Sequence, residues 1–182
     1  MSGVTPVQLA AAVLLCLAVG ILFVWFDPPR HGMAALRKLV RLLFPSVKQL
    51  SPADLSAWLA DTRRPAPVLL DVRTEAEFAV SRLPGAVRVN ENSTRAEIEA
   101  LVDGNRPLVL YCVAGYRASA LAKKLTGAGL TNVANLEGGV FDWVNGGRLL
   151  ENSGKPTLLV HPYGRVWSHL LKPRSRGELR QR

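Results

Sequence analysis

The residues best suited to do chemistry lie at positions 111–120, which read YCVAGYRASA. The preceding run PLVLY is typical of a buried strand, and RASALAKKL favours a helix. Cys112 therefore follows a strand, and a loop with Gly115 leads to Arg117 at the start of the helix. The N–H groups and dipole of a helix N-terminus, with an arginine beside them, stabilise a thiolate or a bound anion. The spacing alone leaves a buried structural cysteine as the alternative.

The other candidate ligands and nucleophiles of the chain are few. The only second cysteine, Cys16, lies in an uncharged apolar run and is expected to pack there. Two distant cysteines form neither a disulfide framework nor a zinc ligand set. His161 and His169 have no carboxylate or cysteine at ligand spacing, so we expect no metal site.

Predicted strands and helices alternate between residues 47 and 150. Ser51 before Pro52 predicts a capped helix start, and Thr74 and Glu77 have the spacing of a capping box. Short apolar runs, such as residues 67–72, predict buried strands. The alternation predicts an α/β fold with a mostly parallel sheet covered on both faces. Cys112 would lie at the carboxyl end of a central strand, where open α/β sheets place their ligand crevices.

Four motifs occur in order within this region: LLDVRTEAEF, LPGAV, LVLYCVAGYRASALAKKL and LEGGVFDW. Together they resemble the rhodanese-like sulfurtransferase domain over residues 47–150. The resemblance implies the rhodanese α/β fold, with a central parallel sheet flanked by helices and no metal or organic cofactor. It also implies an enzyme that moves sulfane sulfur from thiosulfate or a persulfide donor to a thiol or cyanide, with a protein thiol as a further acceptor.

The resemblance assigns a role to individual residues. Cys112 would be the nucleophile and would carry the sulfur as a persulfide. Arg117 would close the active-site loop and favour anionic donors. The rest of that loop, which would supply a cradle of backbone N–H groups, is Val113, Ala114, Gly115 and Tyr116.

Residues outside the loop would support it. Asp71 and Arg73 would hold the loop and the nearby helix by hydrogen bonds. The glycines Gly138 and Gly139 would allow close backbone approach near the pocket. The resemblance leaves Glu77, Phe78 and Trp143 in structural roles.

Two other functions remain open from the sequence. Phosphatases related to this fold have five residues between the cysteine and the arginine, whereas four separate Cys112 from Arg117, which disfavours a phosphoryl substrate. A membrane-anchored binding or scaffold module with this fold is the second alternative, although both Cys112 and Arg117 are kept. Since Val113, Ala114 and Tyr116 are uncharged, we expect no strong preference for thiosulfate.

The N-terminal part predicts a membrane anchor. Residues 1–6 form a short segment without Lys or Arg, and residues 7–26 form an uncharged apolar run about as long as a bilayer core is thick. A cleaved signal peptide would need a basic start and a small-residue cleavage site. Because the basic residues follow the run, the positive-inside rule predicts a single-pass protein of the inner (plasma) membrane, with its catalytic domain in the cytoplasm.

Basic flanks account for much of the net charge of +9. Residues 27–46 form a basic juxtamembrane segment, and its amphipathic part, residues 32–44, could lie on membrane lipid or pack on the domain. Leu36, Leu39, Val40 and Leu43 share its apolar face. We expect the tail, residues 151–182, to be loosely docked with a disordered basic end. Membrane lipid is the expected partner of these flanks, and no nucleic acid is expected.

Overall fold

The computed structural model describes residues 28–102 and 106–177. The predicted membrane span at residues 7–26 lies outside these described residues. Within them, none of the helices combines the length and apolar character that crossing a membrane requires.

A five-stranded sheet forms the centre of the fold. In the order in which they lie side by side, its strands are β1 (Lys48–Leu50), β5 (Val133–Leu136), β4 (Leu108–Tyr111), β2 (Val68–Asp71) and β3 (Val87–Arg88). All four pairings are parallel. Every residue of the middle strand β4 is buried, as expected for a strand covered on both faces. The predicted α/β fold with a central parallel sheet is therefore confirmed.

Helices cover both faces of this sheet. They are α1 (Pro28–Leu43), α2 (Pro52–Ala60), α3 (Glu75–Val80), α4 (Arg95–Leu101), α5 (Tyr116–Gly127) and α6 (Gly139–Asn145). Alternate residues of a strand point to opposite faces, and they divide here between two apolar clusters. Val109 belongs to the cluster that contains Phe141 of α6, and Leu110 to the cluster that contains Leu121 of α5.

Two predicted helix starts are confirmed at the level of single hydrogen bonds. Ser51 precedes α2, and its hydroxyl accepts a hydrogen bond from the N–H of Asp54 at 3.1 Å. Thr74 precedes α3 and forms both halves of a capping box with Glu77. These caps satisfy N–H groups that the first turn of a helix leaves without partners.

Helix α1 packs on the domain. Met33 and Val40 are at most 3% exposed, and each joins one of the two apolar clusters. Leu39 and Leu43, predicted to share the apolar face with Val40, are each 49% exposed. The buried face of α1 contains Met33 in place of Leu39 and Leu43, so it is rotated about the helix axis from the predicted face.

Two bases of α1 form ion pairs with the domain. Arg37 pairs with Asp142, and Arg41 binds Glu137 through both of its carboxylate oxygens. The bases that were candidates for contact with lipid headgroups are thus used in part to fix α1 on α6 and its preceding turn.

The C-terminal segment is packed rather than loosely docked. It contains an antiparallel hairpin of β6 (Leu150–Asn152) and β7 (Lys155–Thr157), a short helix α7 (Arg165–Ser168) and a 3-10 turn at Pro173–Ser175. Val160 and Leu171 are fully buried in the same cluster as Met33. The prediction of loose docking was wrong up to residue 177, because scattered apolar residues in the tail complete the core. The predicted disordered basic end is residues 172–182. The prediction was wrong for its first part, where the 3-10 turn lies and Ser175 is fully buried, and residues 178–182 lie outside the described residues.

Candidate active site

Cys112 directly follows the middle strand β4 and is only 2% exposed. The N–H of Gly115 donates a hydrogen bond to its Sγ at 3.2 Å. Gly115 has φ +98, a left-handed conformation that side chains resist, and a Cβ there would lie 3.0 Å from Nδ2 of Asn135. The loop therefore curls back on its own cysteine, and an N–H group of the kind that stabilises a thiolate points at the sulfur.

The start of α6 fixes the first half of this loop. The N–H of Val140 donates to the carbonyl oxygen of Cys112 at 2.9 Å, and that of Phe141 to the carbonyl oxygen of Val113 at 3.1 Å. Gly139 makes this approach possible, since a Cβ there would lie 2.3 Å from the Cys112 oxygen, and its φ is +57. The predicted close backbone approach is present at Gly139, whereas a Cβ at Gly138 would meet the side chain of Asp142.

Arg117 begins α5 with Tyr116 and forms an ion pair with Glu77. Its Nη2 donates to both carboxylate oxygens of Glu77, at 3.0 and 3.2 Å, and its Nη1 donates to Oε2 at 3.3 Å. Burial opposes ionisation of both groups. The hydrogen bonds and attraction between them outweigh burial, so the pKa of Glu77 is lowered and the pKa of Arg117 is raised. Both side chains therefore stay charged, and the carboxylate of Glu77 neutralises the positive charge of Arg117 in the loop.

Asp71 and Arg73 form a second, fully buried ion pair behind the loop. The Nε of Arg73 lies 2.9 Å from Asp71 Oδ1, and its Nη2 donates to Asp71 Oδ2 and to the carbonyl oxygen of Ser81, both at 2.6 Å. The guanidinium also faces the ring of Tyr111 at 5.7 Å. The predicted hydrogen bond to the nearby helix is present at Ser81, the residue that follows α3, and the contact towards the loop is the one with the ring of Tyr111, the residue before Cys112.

The remaining loop residues divide between the core and the surface. Val113 and Ala114 are each 5% exposed and pack in the cluster of α6, whereas Tyr116 is 55% exposed. The ring of Phe44 meets Tyr116 edge-on at 5.3 Å. The predicted loop residues 112–117 thus form one structural unit with a buried sulfur and an aromatic rim.

Three residues at this site were missed as site residues by sequence reasoning. Glu77 was assigned a structural role, and its capping-box spacing gave no sign that it also binds Arg117. Phe44 and Tyr163 lie far from the loop in sequence, yet Tyr163 places its ring 5.3 Å from the guanidinium carbon of Arg117. No local pattern reports contacts of this kind.

The rhodanese-like domain family matches residues 51–146, which is more than half of the chain. The chain belongs to the rhodanese-like family. The matched region holds the sheet from β2 to β5, the cysteine loop and the glycine pair that braces it. Phe44 and Tyr163 reach the rhodanese-like loop from outside that region.

Relatives support the same assignment. The chain is 31% identical over 101 residues to a sulfurtransferase of Allochromatium vinosum, covering 56% of this chain and 92% of that protein. It is 32% identical over 96 residues to the thiosulfate sulfurtransferase GlpE of Pseudomonas savastanoi, covering 53% and 86%. The crystal structure of a thiosulfate sulfurtransferase from Pseudomonas aeruginosa superposes with a TM-score of 0.56 at 26% identity, over 68% of this chain and 23% of that one.

Proposed function

We propose that this protein is a sulfurtransferase whose Cys112 carries sulfur as a persulfide. The observation that carries the proposal is the hydrogen bond from the N–H of Gly115 to Cys112 Sγ, at 3.2 Å, in a loop braced by α6. An N–H fixed on the sulfur stabilises a negative charge there without reorganisation during the reaction. The names of the relatives support the same chemistry.

The proposed reaction has two displacement steps. The Cys112 thiolate attacks the outer sulfur of thiosulfate, the S–S bond of the donor breaks, and sulfite leaves with the bonding electron pair. With a persulfide donor, the leaving group is a thiolate. An acceptor thiolate then attacks the terminal sulfur of the Cys112 persulfide, which transfers that sulfur and restores the Cys112 thiolate. Electrons balance in both steps, so neither step needs a metal or an organic cofactor.

Mass spectrometry of the full-length chain tests this function. After incubation with thiosulfate, and separately with glutathione persulfide, we expect Cys112 to gain one sulfur atom that cyanide or a thiol removes. The Cys112→Ser chain is the matched control and should gain none. If neither donor loads a folded wild-type chain, the sulfurtransferase proposal fails and a binding or scaffold module is favoured.

We also propose that residues 7–26 anchor the protein in the inner membrane, with the domain on the cytoplasmic side. This rests on the uncharged run and on the bases that follow it. Ser153 is exposed at the tip of the β6–β7 turn, so Ser153→Cys in a chain without Cys16 and Cys112 reports its side of the membrane. An impermeant maleimide should label it only after permeabilisation, and labelling in intact cells would reverse the orientation. Release of the chain from membranes by alkaline carbonate would exclude the anchor.

A further inference from the structure

A segment outside the family region contacts the cysteine loop at Arg117. Residues 162–170 lie between two anchors, because the N–H of Val160 donates to the carbonyl oxygen of Ser175 at 3.0 Å and Leu171 is fully buried. At the start of this segment, Tyr163 lies over Arg117, and its ring meets Trp167 edge-on at 5.5 Å. The position of Tyr163 over the loop is therefore fixed from both sides.

Two groups occupy the guanidinium of Arg117. Glu77 binds it through three hydrogen bonds, and its central carbon lies over the ring of Tyr163, 5.3 Å from the ring centre. Arg117 is also the only charged side chain in residues 112–117. The loop therefore presents no uncompensated, open cation to an incoming donor.

The backbone of Tyr163 is in a conformation that its side chain does not favour. Its φ is +64, in the left-handed region where a bulky residue is an outlier. The residue is 46% exposed, so burial in the core does not account for this geometry. Strain of this kind concentrates at functional positions, and here it accompanies the contact between the ring and Arg117.

We propose that Tyr163 is a specificity-determining residue that disfavours small dianionic donors such as thiosulfate. With its ring in place, the loop favours a persulfide of low charge on an apolar or peptide carrier, which can contact the exposed rings of Tyr116 and Tyr163. Tyrosine and other aromatic side chains are enriched where proteins contact one another. The selectivity rests on the proposed sulfur transfer, but the capping of Arg117 is testable without it.

Equilibrium binding tests the effect of Tyr163 on Arg117 separately from sulfur transfer. Thiosulfate binding is measured by calorimetry in three chains that cannot turn over. These are the parent Cys112→Ser and the same chain with either Tyr163→Phe or Tyr163→Ala added. Removing the ring removes its contact with the Arg117 guanidinium, and we expect Tyr163→Ala to bind thiosulfate about 3–10-fold more tightly. Tyr163→Phe keeps the ring and should match the parent. Val166→Ala is the matched control, since Val166 is 80% exposed on the short helix α7, which follows Tyr163, and should leave the affinity unchanged.

Kinetics supply the second readout, with intact Cys112. The ratio of kcat/KM for thiosulfate to kcat/KM for the persulfide of N-acetylcysteine methyl ester should rise in Tyr163→Ala and stay constant in Tyr163→Phe. Equal thiosulfate affinity in the Ala and Phe variants would overturn the proposal. If no donor loads Cys112 in any variant, the sulfur-transfer function fails, while the calorimetry still decides whether Tyr163 closes Arg117 to anions.

Discussion

Replacing Gly139 by alanine tests whether the start of α6 braces the cysteine loop as described. The new Cβ would lie 2.3 Å from the carbonyl oxygen of Cys112 and 2.7 Å from that of Val113, both of them backbone atoms that cannot rotate away. It would also have to adopt φ +57. The left-handed conformation costs about 1–2 kcal/mol and overpacking about 1–3 kcal/mol, while a less flexible unfolded chain returns up to about 1 kcal/mol.

We therefore expect Gly139→Ala to lower the free energy of unfolding by roughly 2–4 kcal/mol. Chemical denaturation followed by circular dichroism measures it. Gly127→Ala is the matched control, because Gly127 ends α5 without a left-handed φ, and a Cβ added there would meet no heavy atom within 4 Å. That control should be neutral or stabilising by about 0.5 kcal/mol.

A third variant separates the two causes. Asparagine tolerates the left-handed region but carries a Cβ, so Gly139→Asn should recover only the conformational part of the loss. The usual effect of a surface substitution is at most about 0.5 kcal/mol. If the free energies of unfolding of Gly139→Ala and Gly127→Ala differ by no more than that, α6 does not fix the loop in this way. If Gly139→Asn is as stable as the wild-type chain, the clash of the new Cβ with the two carbonyl oxygens is refuted, while the conformational cost still stands.

Three further predictions follow from the packing and the charges. Met33→Ala should lower the free energy of unfolding by about 2–4 kcal/mol by leaving a cavity, whereas Leu42→Ala, at a 69% exposed position of the same helix, should change it little; equal effects would contradict the docking of α1. The folded-state pKa of Glu77 is lowered, so its stabilisation is present above its unfolded pKa, about 4.3, and is lost as pH falls through the folded pKa. The unfolding free energy of the wild-type chain should therefore decline more steeply in acid than that of Glu77→Gln, and parallel pH profiles would exclude this contribution. Ser153 has φ +49 in a two-residue hairpin turn that favours asparagine, so Ser153→Asn should raise the thermal unfolding midpoint, with a stabilisation of about 0.5 kcal/mol; a lowered midpoint would contradict it.

Local signals account for the elements that were predictable from sequence. Ser51 and Thr74 each accept a hydrogen bond from the N–H group three residues further along, so their effect can be predicted from a short stretch of sequence. The Cys112 loop was predictable for the same reason, because a strand, a glycine and a helix start follow one another directly.

Contacts between distant segments were not predictable in this way. Arg117 and Glu77 are 40 residues apart, and nothing in either neighbourhood specifies that this acid, among others, meets the loop cation. The side of α1 that is buried depends on where Met33 fits in a core formed by later elements. The ring of Tyr163 reaches Arg117 only because Val160 and Leu171 anchor the segment around it.

The sharing of one core by Met33 and Leu171 has a consequence for how the chain folds and where it can be cut. These residues lie near opposite ends of the described chain, so the cluster cannot close during synthesis until the segment up to about Leu171 has emerged. Helix α1 is synthesised first, and its apolar face stays exposed until the later segment is made. During that time the exposed face can aggregate with other chains. A fragment cut at residues 51 and 146 would lack Met33, Leu150, Val160 and Leu171 from its core. The folding unit of this protein is therefore larger than its family domain.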